Sequence, residues 1–459
     1  MRDRLSLIRD TGAELVVVGN GSPLFALGFR DDLKLDCPLL VDPELRSYRA
    51  AGLRRGRVEV LSPRLPLNAV RALWKGHRQT SVQGDPWQLG GVFVIGRGGE
   101  LLFQYRSREA GDHPPVEAIL SALSPGAASV SESEEPSKVE SLLGRGLSIL
   151  VDPTVVLSFT RPGFTIHSLT FGRADLDVDL SGRRCLITGA NQGLGYETAL
   201  GLADLGADVV LLCRSMERGE EAAERIREQT GNARVRCKHM DVSDLASVRP
   251  AAERLAADPI HVLVHNAGVL PAERMLSPQG AELTFATHVA GPHLLTKLLA
   301  PHLAPHARVI WVSSGGMYTQ KLNLEDLNWE HRKYDGMRAY AETKRAQVVL
   351  SELWAEALSS RGVHVNAMHP GWADTSGVRT SIPGFHRAMK AILRTPAEGA
   401  DTIVWLAASE AAGRSTGQFF FDRAARATHY LPFTAESAAD RQALWALCER
   451  TTDPFTRPL

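Results

Sequence analysis

Residues 184 to 214 read RCLITGANQGLGYETALGLADLGADVVLLCR. An apolar run ends in a glycine-rich turn, an Ala/Leu-rich stretch of helical character follows, and a second apolar run closes the unit. That order predicts strand, turn, helix, parallel strand, the unit from which open α/β sheets are built. Glycines in such a turn let the backbone bend tightly and approach a pyrophosphate, whose charge is favoured by the free N–H groups at the helix start. Gly189, Asn191, Gly193, Leu194 and Gly195 therefore become candidate dinucleotide contacts. The spacing is GxxxGxG, and a glycine triplet by itself fits a plain turn equally well. More is decided at the end of the second strand, where Cys213 and Arg214 stand in place of the acid that would hold the ribose hydroxyls of NAD. An arginine there pairs with a 2′-phosphate, which points to NADP(H), with Arg218 as a second support.

Working outward, RCLITG, ADVVLLCR, VRCKHMDV, HVLVHNAG, RVIWVSS, VHVNAMHPG and GQFFFD alternate with amphipathic segments. Seven strands with six crossovers predict a doubly wound parallel sheet covered by helices on both faces. Asp241 and Asn266 fall at strand C-terminal ends, where ligands of open α/β sheets bind.

With 459 residues the chain has room for two domains. Around residues 125–140 the text becomes PGAASVSESEEPSKVE, nearly free of large apolar side chains, and reads as a solvated linker. It separates a smaller α/β unit, 1–124, from the larger unit, 141–459. In the smaller unit AELVVVGNG reads as a strand, and GGVFVIGRGGELLFQYR as a hairpin around Gly98 and Gly99. Lys plus Arg equals Asp plus Glu at 52 each, so no global field favours nucleic acid or an anionic membrane. The five cysteines form no CxxC and no metal-like cluster, so no metal is expected and a reducing, cytoplasmic setting is. MRDRLSLIRDTG lacks an apolar leader core, and no run is long enough to span a bilayer. GLSILVDPTVVLSF is interrupted by Asp152 and Pro153, and is read as a buried brace against the sheet in preference to membrane contact.

TGANQGLG, HNAG, VSS, YAETK and HPGWADT stand in the order of the classical short-chain dehydrogenase/reductases. The resemblance covers about residues 145 to 430. In detail it is closest to the retinol-dehydrogenase-like group and its member-twelve type, on VSSGGMYTQKLNLEDL and HPGWADTSGVRTSIPGFH. The resemblance implies Ser314, Tyr340 and Lys344 as catalytic residues, with Lys344 also on the nicotinamide ribose. It implies Asn266, Ala267, Gly268, Pro370, Gly371 and Thr375 as cofactor contacts, Thr375 at the carboxamide. Tyr340 and Lys344 are four apart, so a helix brings them to one face, where an ammonium is expected to lower the phenol's pKa. Carbonyl and alcohol would interconvert on a small, hydrophobic substrate, under an apolar lid of Trp372, Ile382, Phe385, Met389 and Ile392; the same side chains equally suit core packing. In that family helices flanking the sheet often make a dimer or tetramer, so the resemblance implies a homo-oligomer.

Two departures stand out. The interval from Ser314 to Tyr340 is about twice the family's usual one, the extra LNLEDLNWEHRKYDG resembling the insertion of the retinol-dehydrogenase group and expected to border the substrate mouth. FATHVAGPHLLT places His288 where the family has an asparagine holding a relay water. Histidine donates and accepts, so it either relays protons itself or marks a relay weakened or rerouted. The second alternative opens a different function, an NADPH-binding regulatory protein without turnover.

Residues 1 to about 124 resemble the peroxiredoxin-like proteins of thioredoxin fold, on AELVVVGNGSP, DPELRSYRAAGL and DPWQLGGVFVIGRGGELLFQYRSREAGDHPP. The resemblance begins after the strand and helix that carry the redox cysteine. Cys37, the cysteine of this region, is not in the catalytic position, which argues against a thiol antioxidant. The unit is expected to be a remnant used for packing or docking, or its recorded start to lie too far downstream.

Overall fold

The computed structural model describes residues 5–20, 26, 30, 36–43, 45–53, 88–96, 101–107, 114, 116–123, 155–172, 174–430 and 432–456. The chain forms two compact units, Met1–Glu134 and Glu135–Leu459. The linker expected over 125–140 lies outside the described residues, as does the hairpin turn at Gly98 and Gly99.

In the first unit β1 (Val17–Gly19) pairs in parallel with β2 (Leu39–Val41), and β3 (Gly91–Ile95) pairs antiparallel with β4 (Leu101–Arg106). Val94 and Phe103 from the hairpin and Ile119 from the helix Val116–Ala122 form a small buried cluster. Alternation along VFVIG and LLFQYR sends one face of the hairpin inward, as half-buried strands require.

The second unit is built on an eight-stranded sheet. Seven strands run parallel: β5 (Arg184–Thr188), β6 (Asp208–Cys213), β7 (Val235–His239), β8 (Ile260–His265), β9 (Leu303–Val312), β10 (His364–Met368) and β11 (Phe419–Phe421). The eighth, β12 (Ala424–Arg426), pairs antiparallel with β11 at the edge. It adds an antiparallel edge to the seven parallel strands expected: the three residues AAR carry no apolar alternation from which a strand could be read. The spatial order is β12-β11-β10-β9-β8-β5-β6-β7, so the chain enters at β5, winds outward to β7, and returns to the other side of β5. The reversal leaves a crevice beyond the C-terminal ends of β5 and β8, the position where such sheets bind ligands.

Each strand alternates its side chains between two helical layers. Leu186, Leu212, Leu263, Val309 and Trp311 face one core with α5 (Leu245–Leu255), α6 (Gly291–Leu299) and α7 (Gly336–Ala357). Ile187, Val209, Leu211, Val264 and Met368 face the other, with α3 (Gly193–Asp204), α4 (Met216–Thr230) and α10 (Pro396–Ala408). Burial of each such Leu or Ile contributes roughly 1.5–3 kcal/mol, so the two layers hold the sheet from both sides. α11 (Ala438–Thr452) lies over α6 and α7: Trp445 packs on Trp354, Arg441 pairs with Glu352, and Glu449 pairs with Lys297.

Ahead of β5, α1 (Val155–Phe159) and α2 (Arg161–His167) form a short brace. Ser158 and Phe159 are buried while Val155 and Leu157 are exposed. The earlier part of the apolar stretch lies outside the described residues. No helix among the described residues is long and apolar enough to cross a membrane.

Candidate active site

The crevice is lined by the turn after β5. Gly189 and Gly193 adopt φ of +66° and +57°, a region that only glycine enters at little cost. A Cβ on Gly195 would stand 2.4 Å from Asn266 Nδ2 and 2.5 Å from the Gly189 carbonyl, so α3 can pack this closely only without a side chain there. Asn266 Nδ2 donates to the carbonyls of Thr188 (2.9 Å) and Gly189 (3.2 Å), tying β8 to the glycine turn. Thr188 Oγ1 accepts from the N–H groups of Asn266 and Ala267, both at 3.0 Å. No side chain caps the start of α3 at Gln192, so its first turn opens toward the crevice. Asn191 lies on the same turn, and Leu194 on the first turn of α3.

Arg214 follows β6 directly, and its side chain is 65% exposed. Its Nε lies 4.0 Å from Asp241, whose carboxylate also accepts from the Ser243 N–H and hydroxyl. Arg214 thus stands free to meet an anion at the rim, and Arg218 is exposed on the first turn of α4. On the opposite side Thr375 closes over the turn, its Cγ2 being 3.6 Å from where a Gly193 Cβ would be. Thr375 Oγ1 also caps α8 (Ser376–Ser381) by accepting from Val378 N–H. Pro370 and Gly371 begin this loop, and His369 Nδ1 accepts the Gly371 N–H at 3.1 Å.

Ser314 emerges after β9, its Oγ accepting from Gly316 N–H at 3.2 Å. Tyr340 and Lys344 come from α7 on one face, as their spacing requires. The Ser314 hydroxyl neighbours the Tyr340 phenol and favours its charged form. Lys344 is buried, donates to the Val312 carbonyl at 2.8 Å, and keeps its Nζ 5.4 Å from the Tyr340 ring centre. Burial lowers Lys344 to about 7. The expectation that the lysine lowers the phenol is not met in the free protein. Burial raises Tyr340 above its ordinary value, and the neighbouring Ser314 hydroxyl only offsets part of this.

His288 is fully buried in a π-helical turn, Ala286–Ala290, with its ring edge-on to Tyr340 at 5.4 Å. Nε2 accepts the Val269 N–H at 3.0 Å, and Nδ1 lies 2.9 Å from Thr343 Oγ1. Acceptance at Nε2 places the proton of the neutral ring on Nδ1, which donates to Thr343. Burial, then the nearby Lys344, push its pKa well below the ordinary value. Both nitrogens are occupied by the fold. Gly268 lies beside them, a Cβ there falling 3.3 Å from His288 Nε2 and 3.8 Å from Lys344 Nζ.

Two buried constellations escaped the reading of the sequence. The inserted segment is fastened by Arg332, which pairs with buried Glu342 and lies 3.6 Å over the Trp329 ring, and by Tyr334, whose hydroxyl donates to buried Glu282. Arg394 makes a two-pronged pair with Asp422 at 2.6 and 2.8 Å, and His167 joins the same carboxylate at 2.5 Å. Of the expected lid, Trp372 packs on Phe385 at 5.1 Å, and Ile382, Met389 and Ile392 are partly buried around α9 (Pro383–Met389). Among the described residues no group of three or more His, Cys, Asp or Glu could hold a metal ion.

Residues 183–383 match the family model for short chain dehydrogenase. Human dehydrogenase/reductase SDR family member 12 is 40% identical over 302 residues, covering 65% of this chain and 95% of that protein. The chain belongs to the short-chain dehydrogenase/reductase family. This reductase is also similar to human retinol dehydrogenase 13, at 33% identity over 55% of the chain and 80% of that protein. A crystal structure of an uncharacterized protein from Mycobacterium paratuberculosis matches it with a TM-score of 0.50 and 30% identity, covering 60% of this chain and 95% of that one. Membership makes the reductase an oxidoreductase acting on CH–OH/C=O groups. Its residues 1–109 match the family model for AhpC/TSA antioxidant enzyme, in keeping with the thioredoxin-like reading of the first unit.

Proposed function

We propose that the chain is an NADP(H)-dependent reductase of small hydrophobic carbonyl compounds, with Ser314, Tyr340 and Lys344 at the reacting oxygen. The observation that carries this reading is their convergence: a serine from the end of β9 and a tyrosine and lysine from one face of α7 meet beside the glycine cradle. Gly189, Asn191, Gly193, Leu194 and Gly195 would hold the pyrophosphate, and Arg214 would face the 2′-phosphate. Asp241, Asn266, Ala267 and Gly268 would line the adenosine and ribose side, and Pro370, Gly371 and Thr375 the nicotinamide side. When bound, NADPH supplies the hydride.

Ser314 orients the carbonyl oxygen by donating its hydroxyl proton to it. Tyr340, raised by burial, rests as the neutral phenol at neutral pH and so can give the oxygen its proton. Below about pH 7 Lys344 carries its charge close to the ring, where it stabilises the phenolate left behind. His288 is a neutral pin between Val269 and Thr343 and relays no proton in this scheme. Tyr340 is then reprotonated by a route other than the imidazole.

A second reading, NADPH binding without turnover, is favoured by that same occupied histidine. The test is NADPH oxidation by the purified chain with nonanal, benzaldehyde and all-trans-retinal, beside Tyr340→Phe. Turnover that falls by roughly 10²–10⁴ in the mutant, with NADPH still bound, supports the reductase. Tight NADPH binding with no turnover of any carbonyl supports the second reading. Self-association, expected from sheet-flanking helices, would have to use surfaces other than those α11 covers on α6 and α7.

A further inference from the structure

We infer that Phe159, which precedes the nucleotide-binding sheet, is a positioning residue that holds the Ser314–Gly315 turn against the Pro370–Thr375 loop. The inference rests on the reductase reading.

The ring of Phe159 is 9% exposed and lies against Gly315, the residue after the serine. A Cβ on Gly315 would stand 2.5 Å from its Cε2. The same ring meets His369 edge-on at 4.4 Å and Trp372 at 5.9 Å. The Phe159 carbonyl accepts the Trp372 N–H at 2.7 Å. One residue therefore touches both loops that flank the reacting centre, the first through its ring and the second through ring and carbonyl.

Phe159 is itself held from both sides. Arg394 Nη2 donates to the Ser158 carbonyl at 2.8 Å and Nε to the Thr160 carbonyl at 3.3 Å, so one buried guanidinium spans the peptide units flanking the ring. Asp422 fixes the guanidinium, and His167 at the end of α2 fixes Asp422. Arg161 N–H donates to the Ile392 carbonyl, adding a tie to the segment after α9. Ordinary core packing would need none of these backbone ties. Such an arrangement restrains where the ring stands, and misplacing a reacting group by about 1 Å costs roughly 100-fold in rate.

The test uses the full chain with Phe159→Leu and Phe159→Ala, beside Leu157→Ala on the exposed side of the same helix, and whichever aldehyde the unaltered chain reduces fastest. The expected result is a kcat lower by roughly 100-fold in Phe159→Leu, and no change in Leu157→Ala. Ser314→Ala should cost far less in the Phe159→Leu background than in the unaltered chain, because the hydroxyl is already misplaced. A kcat within about twofold, or fully multiplicative effects of the two substitutions, overturns the inference. If Phe159→Ala unfolds, Phe159→Leu carries the test alone. Amide exchange over residues 313–320 gives a readout that needs no turnover. It should quicken by about tenfold or more in Phe159→Leu and not in Leu157→Ala, and unchanged exchange overturns the inference. Failure of the unaltered chain to reduce any aldehyde, with exchange behaving as expected, counts against the reductase reading instead.

Discussion

In the proposed reading, Arg214 is the residue on which cofactor choice turns. Its side chain is more than half exposed and has one loose partner, Asp241 at 4.0 Å, so a phosphate can take it without breaking a tight pair. Arg214→Ala is expected to weaken NADPH binding by roughly 10- to 100-fold while NADH binding changes little, since a charge-assisted hydrogen bond contributes about 1.5–3 kcal/mol. Titration of intrinsic NAD(P)H fluorescence checks this. Lys344 yields a second expectation. Its pKa drops from 10.5 to about 7 on folding, so between those values the unfolded chain holds a proton that the folded one lacks. Stability of the cofactor-free protein from this group rises with pH across that window, and Lys344→Met removes the rise, as denaturant titrations at pH 7 and pH 9 would show. The types and spacing of these residues were legible because chemistry limits them. Which direction Tyr340 titrates was not, because desolvation depends on everything packed around the phenol.

At the scale of elements, strands β5 to β11 were legible because each is a short apolar run bounded by turn residues. β12 was not, since pairing at an edge asks nothing of its side chains. The Arg394–Asp422–His167 clasp was also hidden: His167 and Asp422 are 255 residues apart, and nothing local marks either as buried. Because Arg394 and Asp422 are both buried, removing one partner strands the other's charge. Arg394→Met should destabilise the second unit by roughly 3–5 kcal/mol, whereas removing the half-exposed Arg161, which pairs with Glu398, should cost about 1 kcal/mol or less. Urea unfolding of the two variants separates these outcomes. The insertion before α7 depends on Glu342 in the same way, through Arg332 and Arg338.

For the whole molecule, buried histidines set the response to acid. Burial lowers His265 and His369 to about 3 and His293 to about 4, all from 6.5. Between those values the unfolded chain binds protons that the folded chain refuses, so stability is lost as pH falls below about 6.5. Asp422, held at about 2 despite its burial by Arg394 and His167, adds a loss of the same sign lower down. The melting temperature should therefore fall steadily from pH 7 to pH 4, which calorimetry would check; a flat profile would contradict the burial of these rings. Charge balance and composition foretold none of this, since they count histidines without saying which are dry.

The clasp also orders events during synthesis. The ribosome makes His167 and the brace first, Arg394 much later, and Asp422 after that, so a nascent chain that already holds the nucleotide cradle still carries an unneutralised arginine where its core should be dry. Asp422 follows β11, which pairs with β10, so the clasp closes only in a chain that includes this last parallel strand. A chain that ends before Asp422 therefore lacks the carboxylate that neutralises Arg394 and holds His167.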